Sequence, residues 1–574
     1  MLFLRRIFPI IDWMSGYGRS ELTADTIGGL VVLFITIPQV IAYAFLAGMP
    51  AETGLYAAIL ALVCYALFGS SRTLAVGPTA IVAMMTLEAT SRYASPGTEV
   101  YVETAMKLGL VTGLILLLLR IVNFGAVISF LSHAVVSGFI TAAAILIMTN
   151  QLPAILGLVK PPGTDVVSVV SHVLTDFGSL NVVSLSIGLA TVVLLWFCRN
   201  TLEKWLQDRG YSELMVSALT KSAPMYAVIL SVAVVYFGSL HIDYGVSIVG
   251  DIPKSLPQLR FNGLSLGEIQ NLAPSALLIA MVVFMESTSI GAAVASKRRE
   301  KIQPNQELVG LGFANVGASL VGGFPVAGSF ARTVVNYSSG AVTQIASLIT
   351  AALVLVTLVW LTPFFVYLPK SVLSAIIIMS AMQLIDLHGI RRTFSFNRTD
   401  AVTFSFTFFA VLGLGVESGI LIGIAISFVL LIRNSSQPHI AVVGRWQGTE
   451  HFRNILRHDV ETFPHVLSVR IDESLYFVNT QYIETFLLNK VAESPELEHI
   501  LLICTATNFI DTSGLEMLEL LSDNLEEVGV TLHLAEVKGP VMDKLKETDF
   551  YKRMKGEIFF TTDLALKALA PTGD

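Results

Sequence analysis

Cysteine and charge are scarce in this chain. Only three of its 574 residues are cysteines, Cys64, Cys198 and Cys504, and they lie far apart without the short spacing of a metal-binding motif. This excludes a disulfide framework and gives no support to a zinc site, so we expect no metal and no cofactor. Charged residues make up 14% of the chain, too few for a soluble enzyme of this length.

Motifs of catalysis and of nucleic-acid binding are missing as well. The sequence shows no nucleophile beside a base, no cluster of metal ligands and no phosphate-binding loop, and it therefore predicts a protein that is not an enzyme. The net charge of −7 indicates little about function and does not imply a nucleic-acid partner. We expect no nucleic-acid partner.

Long apolar runs are abundant. Hydrophobic residues make up 54% of the chain and the mean hydropathy is +0.71, which is typical of a polytopic membrane protein. The third and tenth runs are shorter than the ~20 residues of a spanning helix, and both begin with glycine and proline. The apolar segments lie near 26–46, 52–69, 75–92, 104–119, 127–150, 178–198 and 222–238, and near 273–295, 305–321, 329–342, 343–360, 364–386, 396–413 and 416–433.

Basic residues predict the orientation of these segments. We expect a cytoplasmic N-terminal segment 1–25 without a cleavable signal. An even number of spans then places both termini on the cytoplasmic side of the membrane, which we expect to be a bacterial cytoplasmic (inner) membrane. The inner side then receives most of the positive charge, including Arg5, Arg6, Arg72, Arg120, Arg199, Lys297, Arg298, Arg299, Lys301, Arg391, Arg392 and Arg433. The outer side receives Arg92, Lys107, Lys160, Lys254, Arg260 and Lys370.

Two sets of seven segments imply that the halves are inserted upside down relative to each other, as in many secondary transporters. A similar spacing separates Gly77 from Gly328 and Gln39 from Glu286, as a duplicated unit would leave. Small residues are common in membrane helices, so this spacing alone leaves chance open.

The stretch 323–340 carries an arginine inside an apolar region. Arginine at membrane depth costs about 2.5–3.5 kcal/mol on insertion scales and usually marks a substrate path. Gly323, Pro325 and Gly328 interrupt regular structure before it, and Ser329 is a good N-cap for a short helix. The free N–H groups and dipole of that helix end favour an anion, so we predict an anion site at Arg332. A structural ion pair across helices is the alternative.

From about residue 438 the composition becomes that of a soluble domain. Strands are predicted at 466–472, 474–478, 499–504 and 530–535, with helices at 481–492 and 513–527. Alternating strands and helices predict a small α/β domain.

Four motifs together resemble the sulfate permease family, which includes prestin and pendrin, and its STAS domain. They are Pro38-Gln-Val-Ile-Ala-Tyr-Ala-Phe-Leu-Ala-Gly48, Val76-Gly-Pro78, Gly328-Ser-Phe-Ala-Arg-Thr-Val-Val-Asn336 and Asn508-Phe-Ile-Asp-Thr-Ser-Gly-Leu-Glu516. The resemblance implies a polytopic α-helical membrane protein with fourteen transmembrane segments in 26–435, arranged as inverted repeats of seven (about 26–238 and 273–433) that form core and gate domains. A small cytoplasmic α/β STAS domain would occupy 438–574.

The resemblance also implies an anion site between the N-terminal ends of half-helices three and ten. Its residues would be Gln39, Tyr43, Val76, Gly77, Pro78, Thr79, Gly328, Ser329, Phe330, Ala331 and Arg332. Gln39 and Tyr43 are four residues apart and share a helix face, although either could instead make an interhelical hydrogen bond. Ala331 departs from the family's common Ser-Arg pair, so one hydroxyl contact with the anion is absent.

Two further residues match functional positions of the family. Glu286 lies where proton-coupled relatives carry a glutamate, and it could exchange a proton as the anion arrives and leaves; a permanent ion pair with Arg332 is the alternative. Thr512 matches the phosphorylated position of stand-alone STAS proteins, although 511–514 could also be a simple helix cap.

These observations predict a secondary active transporter for sulfate or a similar small oxyanion or carboxylate. We expect a proton as the coupling ion, membrane lipids as partners and a homodimer. Sodium-coupled bicarbonate transport, uncoupled anion exchange or channel-like conduction, nucleobase transport and a regulatory role of the STAS domain are the alternatives. Arg332 argues against a nucleobase, which is a neutral ligand.

Overall fold

The computed structural model describes residues 8–14, 16–125, 132–159, 165–260 and 263–570. Arg5, Arg6 and Lys160, the first residues of the predicted fifth segment and the last four residues of the predicted STAS domain lie outside these ranges. The chain forms two compact units, Met1–Ile424 and Ala425–Asp574.

Each of the fourteen predicted apolar segments corresponds to a helix. The helices are α1 (Arg19–Leu46), α2 (Ala51–Phe68), α3 (Ala80–Thr90), α4 (Glu99–Ile121), α5 (His133–Leu156), α6 (Val182–Phe197), α7 (Ala223–Phe237), α8 (Leu266–Lys297), α9 (Pro304–Leu320), α10 (Phe330–Ser338), α11 (Ile345–Val356), α12 (Lys370–Ala381), α13 (Arg398–Leu414) and α14 (Val416–Ser436).

Within the described ranges, nine helical segments are long and apolar enough to cross a membrane. A tenth span results if α7 is counted together with the helical residues Met215–Lys221 before it, from which it is separated by a bend of 44°. The helices α3, α9, α10 and α13 are shorter. Short helices also form at Ile10–Met14, Val166–Thr175, Glu203–Asp208, Glu213–Lys221, Leu240–Asp243 and Leu387–Phe396. The helix Val166–Thr175 was not predicted, because its ten residues are too few to register as a span.

Small residues let α9 pack closely on α4. A Cβ atom on Gly113 would lie 2.8 Å from the carbonyl oxygen of Gly312, and one on Gly109 would lie 2.2 Å from Ser319 Oγ. Such contacts are typical of helix pairs in membranes, where close backbone approach replaces the hydrophobic effect as the source of stability.

A buried glutamate in α9 fixes the loop that leads into α3. The Glu307 carboxylate accepts hydrogen bonds from Tyr65 Oη at 2.7 Å, from Ser70 N and Oγ at 2.9 and 2.6 Å, and from Ser71 N at 3.2 Å. Its side chain is fully buried, and these donors compensate for the loss of water. The start of α3 is therefore held by a defined network.

The membrane unit contains two short strands, β1 (Val76–Gly77) and β2 (Ala327–Gly328). The second unit is an α/β domain whose strands are β3 (Ile440–Arg445), β4 (Phe452–Asn454), β5 (Val466–Ile471), β6 (His499–Ile503), β7 (Thr531–Ala535) and β8 (Ile558–Phe559). They form a six-stranded sheet in the order β4-β3-β5-β6-β7-β8. The strands β5 to β8 pair in parallel, and β3 pairs antiparallel with both β4 and β5. The helices are α15 (Thr480–Glu493), α16 (Thr512–Glu527), α17 (Gly539–Lys546), α18 (Asp549–Arg553) and α19 (Thr562–Leu569). The two predicted helices are confirmed, whereas β3, β4, β8 and the three C-terminal helices were not predicted.

The predicted strand at 474–478 is wrong. Leu475 forms only an isolated bridge to Ile510. The Asn479 side chain folds back over this stretch, because its Nδ2 donates to the Ser474 carbonyl at 2.8 Å and its Oδ1 accepts from Tyr476 N at 3.2 Å. Local side-chain bonds of this kind compete with sheet formation.

We expect a buried histidine to make the second unit less stable in acid. His533 Nδ1 accepts a hydrogen bond from Glu557 N at 3.0 Å, and its Nε2 lies 3.2 Å from His499 Nδ1. Burial, aided by the neighbouring His499, lowers the pKa of His533 from 6.5 to about 4. Below pH 6.5 the unfolded chain therefore binds a proton that the folded chain does not bind, and stability falls as the pH falls towards 4.

We expect the free energy of unfolding of segment 438–570 to drop by about 2 kcal/mol through His533 between pH 7 and pH 5. Urea unfolding followed by circular dichroism at both pH values measures this. The variant His533→Gln cannot titrate and should show a correspondingly smaller difference. An equal difference in both proteins would contradict the assignment to His533.

Candidate functional site

Two short strands bring the N-terminal ends of α3 and α10 together. β1 (Val76–Gly77) pairs antiparallel with β2 (Ala327–Gly328), with Val76 opposite Gly328 and Gly77 opposite Ala327. Ser329 N also donates to the Ala75 carbonyl at 2.9 Å. The first turn of a helix leaves several N–H groups without partners inside the helix, so the pairing concentrates two positive helix ends at one place.

The glycines of this corner are required by close packing. A Cβ atom on Gly328 would lie 2.8 Å from Leu74 Cδ1 and 3.1 Å from Ser287 Cα, and Gly328 N donates to Ser287 Oγ at 2.8 Å. A Cβ atom on Gly77 would lie 2.9 Å from Arg332 Nη1. The corner thus fits closely against α8 on one side and against the arginine on the other.

Arg332 links the two half-helices. Ser329 is the N-cap of α10, as predicted, and its Oγ accepts from Arg332 N at 3.5 Å. The guanidinium crosses to the other half, where Nη2 donates to the Pro78 carbonyl at 2.7 Å. The side chain is 1% exposed, yet Nε and Nη1 have no hydrogen-bond partner among the residues that the structure describes. Two charged donors are therefore available for a ligand in a desolvated place.

Other buried polar atoms near the half-helices also lack a hydrogen-bond partner within the described part of the chain. They are Gln39 Oε1, Thr79 Oγ1 and Glu286 Oε2. Buried polar atoms are nearly always hydrogen-bonded, so each buried atom without a partner needs an explanation, such as a bound water, an ion or a functional role. Thr79 is the N-cap of α3 but makes no side-chain cap bond, which leaves its hydroxyl available.

A cavity of about 50 Å³ opens at this corner. This is room for several water molecules or one small anion. Of the predicted residues it is lined by Tyr43, Thr79, Glu286, Ser329, Phe330 and Ala331. The other predicted residues, Gln39, Val76, Gly77, Pro78, Gly328 and Arg332, are buried and do not line it.

The far wall of the cavity contains residues that the sequence did not predict. Ser380, at the end of α12, and Gln383 and Leu384, in the turn after it, line the cavity opposite the half-helices. Ala80 and Ile81 of α3 line it on the half-helix side. Two polar residues three positions apart at the end of an apolar segment could have indicated this wall.

Glu286 and Arg332 both have described positions, and no ion pair joins them. The one side-chain hydrogen bond of Arg332 goes to Pro78, and Glu286 Oε2 is unpartnered. The permanent ion pair considered as an alternative is not present in this structure. The Glu286 side chain instead lines the cavity.

In the second unit, Thr512 is the exposed first residue of α16. Asp511 before it is the N-cap, with Oδ1 accepting from Gly514 N at 2.8 Å and Oδ2 accepting from Phe477 N at 3.0 Å. The capping role suggested by the sequence is therefore filled by Asp511, and the Thr512 side chain remains accessible.

Comparison with known proteins agrees with this architecture. The sulfate permease family matches residues 22–407 and the STAS domain matches residues 457–565. The chain is 31% identical over 566 residues to probable sulfate transporter 4.2 of Arabidopsis thaliana, covering 96% of this chain and 82% of that protein. It is 32% identical over 591 residues to high affinity sulfate transporter 2 of Stylosanthes hamata, covering 100% and 87%.

Solved structures show the same fold. The overall structure of SLC26A9 superimposes with a TM-score of 0.90 at 21% identity, covering 99% of this chain and 93% of that one. The transmembrane domain of the cyanobacterial bicarbonate transporter BicA superimposes with a TM-score of 0.60 at 22% identity, covering 72% and 98%. The matches over nearly the whole length show that this chain is an integral membrane protein of the sulfate permease family of anion transporters, with a C-terminal STAS domain.

Proposed function

We propose that this protein is a secondary active transporter that takes up sulfate, or a similar small oxyanion or carboxylate, together with a proton. The observation that carries the proposal is the corner where the N-terminal ends of α3 and α10 meet the unpartnered donors of Arg332. The Arabidopsis and Stylosanthes relatives are named as sulfate transporters, which supports sulfate as the first substrate to test.

The charges of this corner suit a divalent anion. Arg332 contributes one positive charge, and each helix N-terminus contributes about half a charge, so the sum is about two. An ionised Glu286 would lower that sum to about one, whereas a protonated Glu286 leaves it unchanged. Binding of a dianion therefore favours protonation of Glu286, and this coupling would carry one proton with each anion.

Alternating access is consistent with the position of the site. The cavity lies between the half-helices on one side and Ser380 and Gln383 on the other, so relative movement of the two walls would open it to either side of the membrane. We further propose that both termini are cytoplasmic, in a bacterial cytoplasmic membrane, and that the protein works as a homodimer surrounded by lipids.

Transport by the purified protein in proteoliposomes tests the proposal. Radiolabelled sulfate, bicarbonate, dicarboxylates and nitrate are compared under imposed proton and sodium gradients. We expect sulfate to accumulate when the outside is acidic, and accumulation should disappear with a protonophore. Bicarbonate accumulation that depends on sodium would instead favour the alternative carrier, and current without stoichiometric coupling would favour an uncoupled conductor.

Thr512 remains a proposed regulatory site because its side chain is accessible at the start of a helix, where a phosphate is electrostatically favoured. We expect phosphopeptide analysis of the native protein to find a modified fraction. Intact-mass spectra that show only unmodified protein under all growth conditions would contradict this.

A further inference from the structure

The end of α3 opposite the anion cavity is tied to the start of α14. Glu88 Oε2 accepts a hydrogen bond from Val416 N at 2.9 Å. One turn later, Arg92 Nη2 lies 2.7 Å from Glu417 Oε2, and it also lies 3.6 Å from Glu88 Oε1. Three charged side chains thus join the half-helix to the first turn of another membrane helix.

The turn between α13 and α14 is shaped for this contact. Gly415 has a φ of +88°, and a Cβ atom there would lie 2.5 Å from Glu88 Oε1. Glycine is suited to such a backbone, and it leaves space for the carboxylate. Glu88 then occupies the N-terminal end of α14, where a negative charge is favoured.

Burial strengthens the contact. The side chain of Glu417 is 7% exposed and that of Glu88 is 16% exposed, whereas Arg92 is 49% exposed. Breaking such a contact is costly because it leaves a charge in a poorly solvated place, whereas fully exposed ion pairs contribute little. A cavity of about 270 Å³, lined also by Asp165, adjoins Glu88 and Gly415.

The two ends of α3 are mechanically connected. Thr79 and Ala80 line the anion cavity at one end of the eleven-residue helix, and Glu88 lies near the other end, about 12 Å from Ala80 along the axis. A helix of this length moves as one body. The contacts of Glu88 therefore also determine the position of the anion site relative to α14.

We propose that Glu88, Arg92 and Glu417 form an outer latch: they are positioning residues that hold α3 against α14 while the site is closed to the predicted outer side, and they separate when it opens outward. This inference rests on the alternating access proposed above. The residues touch neither the cavity nor its anion, so they act through the position of α3.

The inverted half offers a matched control. The last turn of α10 contacts the helix Glu213–Lys221 through two neutral hydroxyls, Ser338 Oγ and Ser217 Oγ, 2.8 Å apart. This contact lies at the end of α10 that is remote from the cavity, on the predicted inner side, and thus corresponds to the outer latch at the remote end of α3. It lacks the charges of the outer latch, so its loss should not favour outward opening.

Sided labelling tests the latch in the full-length protein. Cys64, Cys198 and Cys504 are replaced, and the cavity-lining residue Leu384 is changed to cysteine as a reporter. The rate of reaction with a membrane-impermeant maleimide is measured from the outer face in intact cells and from the inner face in inverted vesicles. The latch variants are Arg92→Gln and Glu417→Gln, and the control is Ser338→Ala.

We expect each latch variant to raise the outer labelling rate at least about fivefold and to lower the inner rate, as a shift in population requires. The Ser338→Ala protein should not show the outer increase. General loosening would raise both rates, so that result would contradict the latch. The outer latch would also be contradicted if both latch variants show the labelling rates of the parent protein while the parent's labelling rate depends on added anion. In the parent protein, the outer and inner labelling rates could also be equal and unaffected by added anion. That result would contradict alternating access, and the outer latch with it.

Discussion

Replacing Arg332 with alanine should reduce sulfate uptake about 30- to 100-fold. The guanidinium supplies the one full positive charge among the residues that meet at the corner, and its Nε and Nη1 are unpartnered and desolvated. Charge-assisted hydrogen bonds of this kind contribute about 2–3 kcal/mol, and 1.36 kcal/mol corresponds to a factor of ten. Initial rates in proteoliposomes and direct binding of radiolabelled sulfate to detergent-purified protein measure the effect.

Two variants separate the loss of the anion contact from general damage. Arg332→Lys keeps the charge but not the planar arrangement of donors, so we expect an intermediate loss. Arg298→Gln removes another arginine of the membrane unit, one that donates to the carbonyls of Ala341 and Val342 and not to the Pro78 carbonyl between the half-helices. It should reduce binding far less than Arg332→Ala. If Arg298→Gln and Arg332→Ala lose equal amounts of binding, or if Arg332→Ala still binds sulfate, Arg332 is not part of the anion site.

The half-helices could be predicted because their signals are local. Gly77 and Pro78 stop one apolar run and Pro325 and Gly328 stop the other, and Ser329 caps the short helix α10. Each of these effects depends on backbone geometry within a few residues, which a sequence displays directly. The fourteen-segment fold can be predicted by the same kind of reasoning, since length and hydropathy are local quantities.

The composition of the cavity wall could not be predicted in the same way. Gln39 and Tyr43 share a helix face, but the cavity is small enough that only Tyr43 lines it. Helix periodicity gives a direction and not a depth along the axis. Ser380 and Gln383 come from a segment far beyond Arg332 in the chain, and their place opposite α3 depends on the packing of the whole helical unit. The outer latch is likewise visible only once Glu88 and Glu417 are brought together.

Replacing Glu286 with glutamine should abolish proton-driven accumulation while leaving exchange intact. Glutamine has nearly the same shape and keeps the cavity polar, but it cannot release a proton. The site then stays in the charge state that favours a dianion, and sulfate on one side can still exchange for sulfate on the other. An inward proton gradient should no longer raise internal sulfate above its external level, whereas counterflow of labelled sulfate should remain within a few-fold of the parent rate.

Glu307→Gln is the matched control, because it neutralises another buried glutamate of the same helical unit. Glu307 accepts four hydrogen bonds that hold the loop before α3, and its role in this structure is to position that loop. Its loss should lower accumulation and counterflow together, since a displaced half-helix impairs every mode of transport. We expect Glu286→Gln to lose accumulation alone and Glu307→Gln to lose accumulation and counterflow together. This difference would distinguish a role in proton coupling from a role in holding the structure. Undiminished proton-driven accumulation by Glu286→Gln would refute the coupling role, and the proton would then need another carrier group.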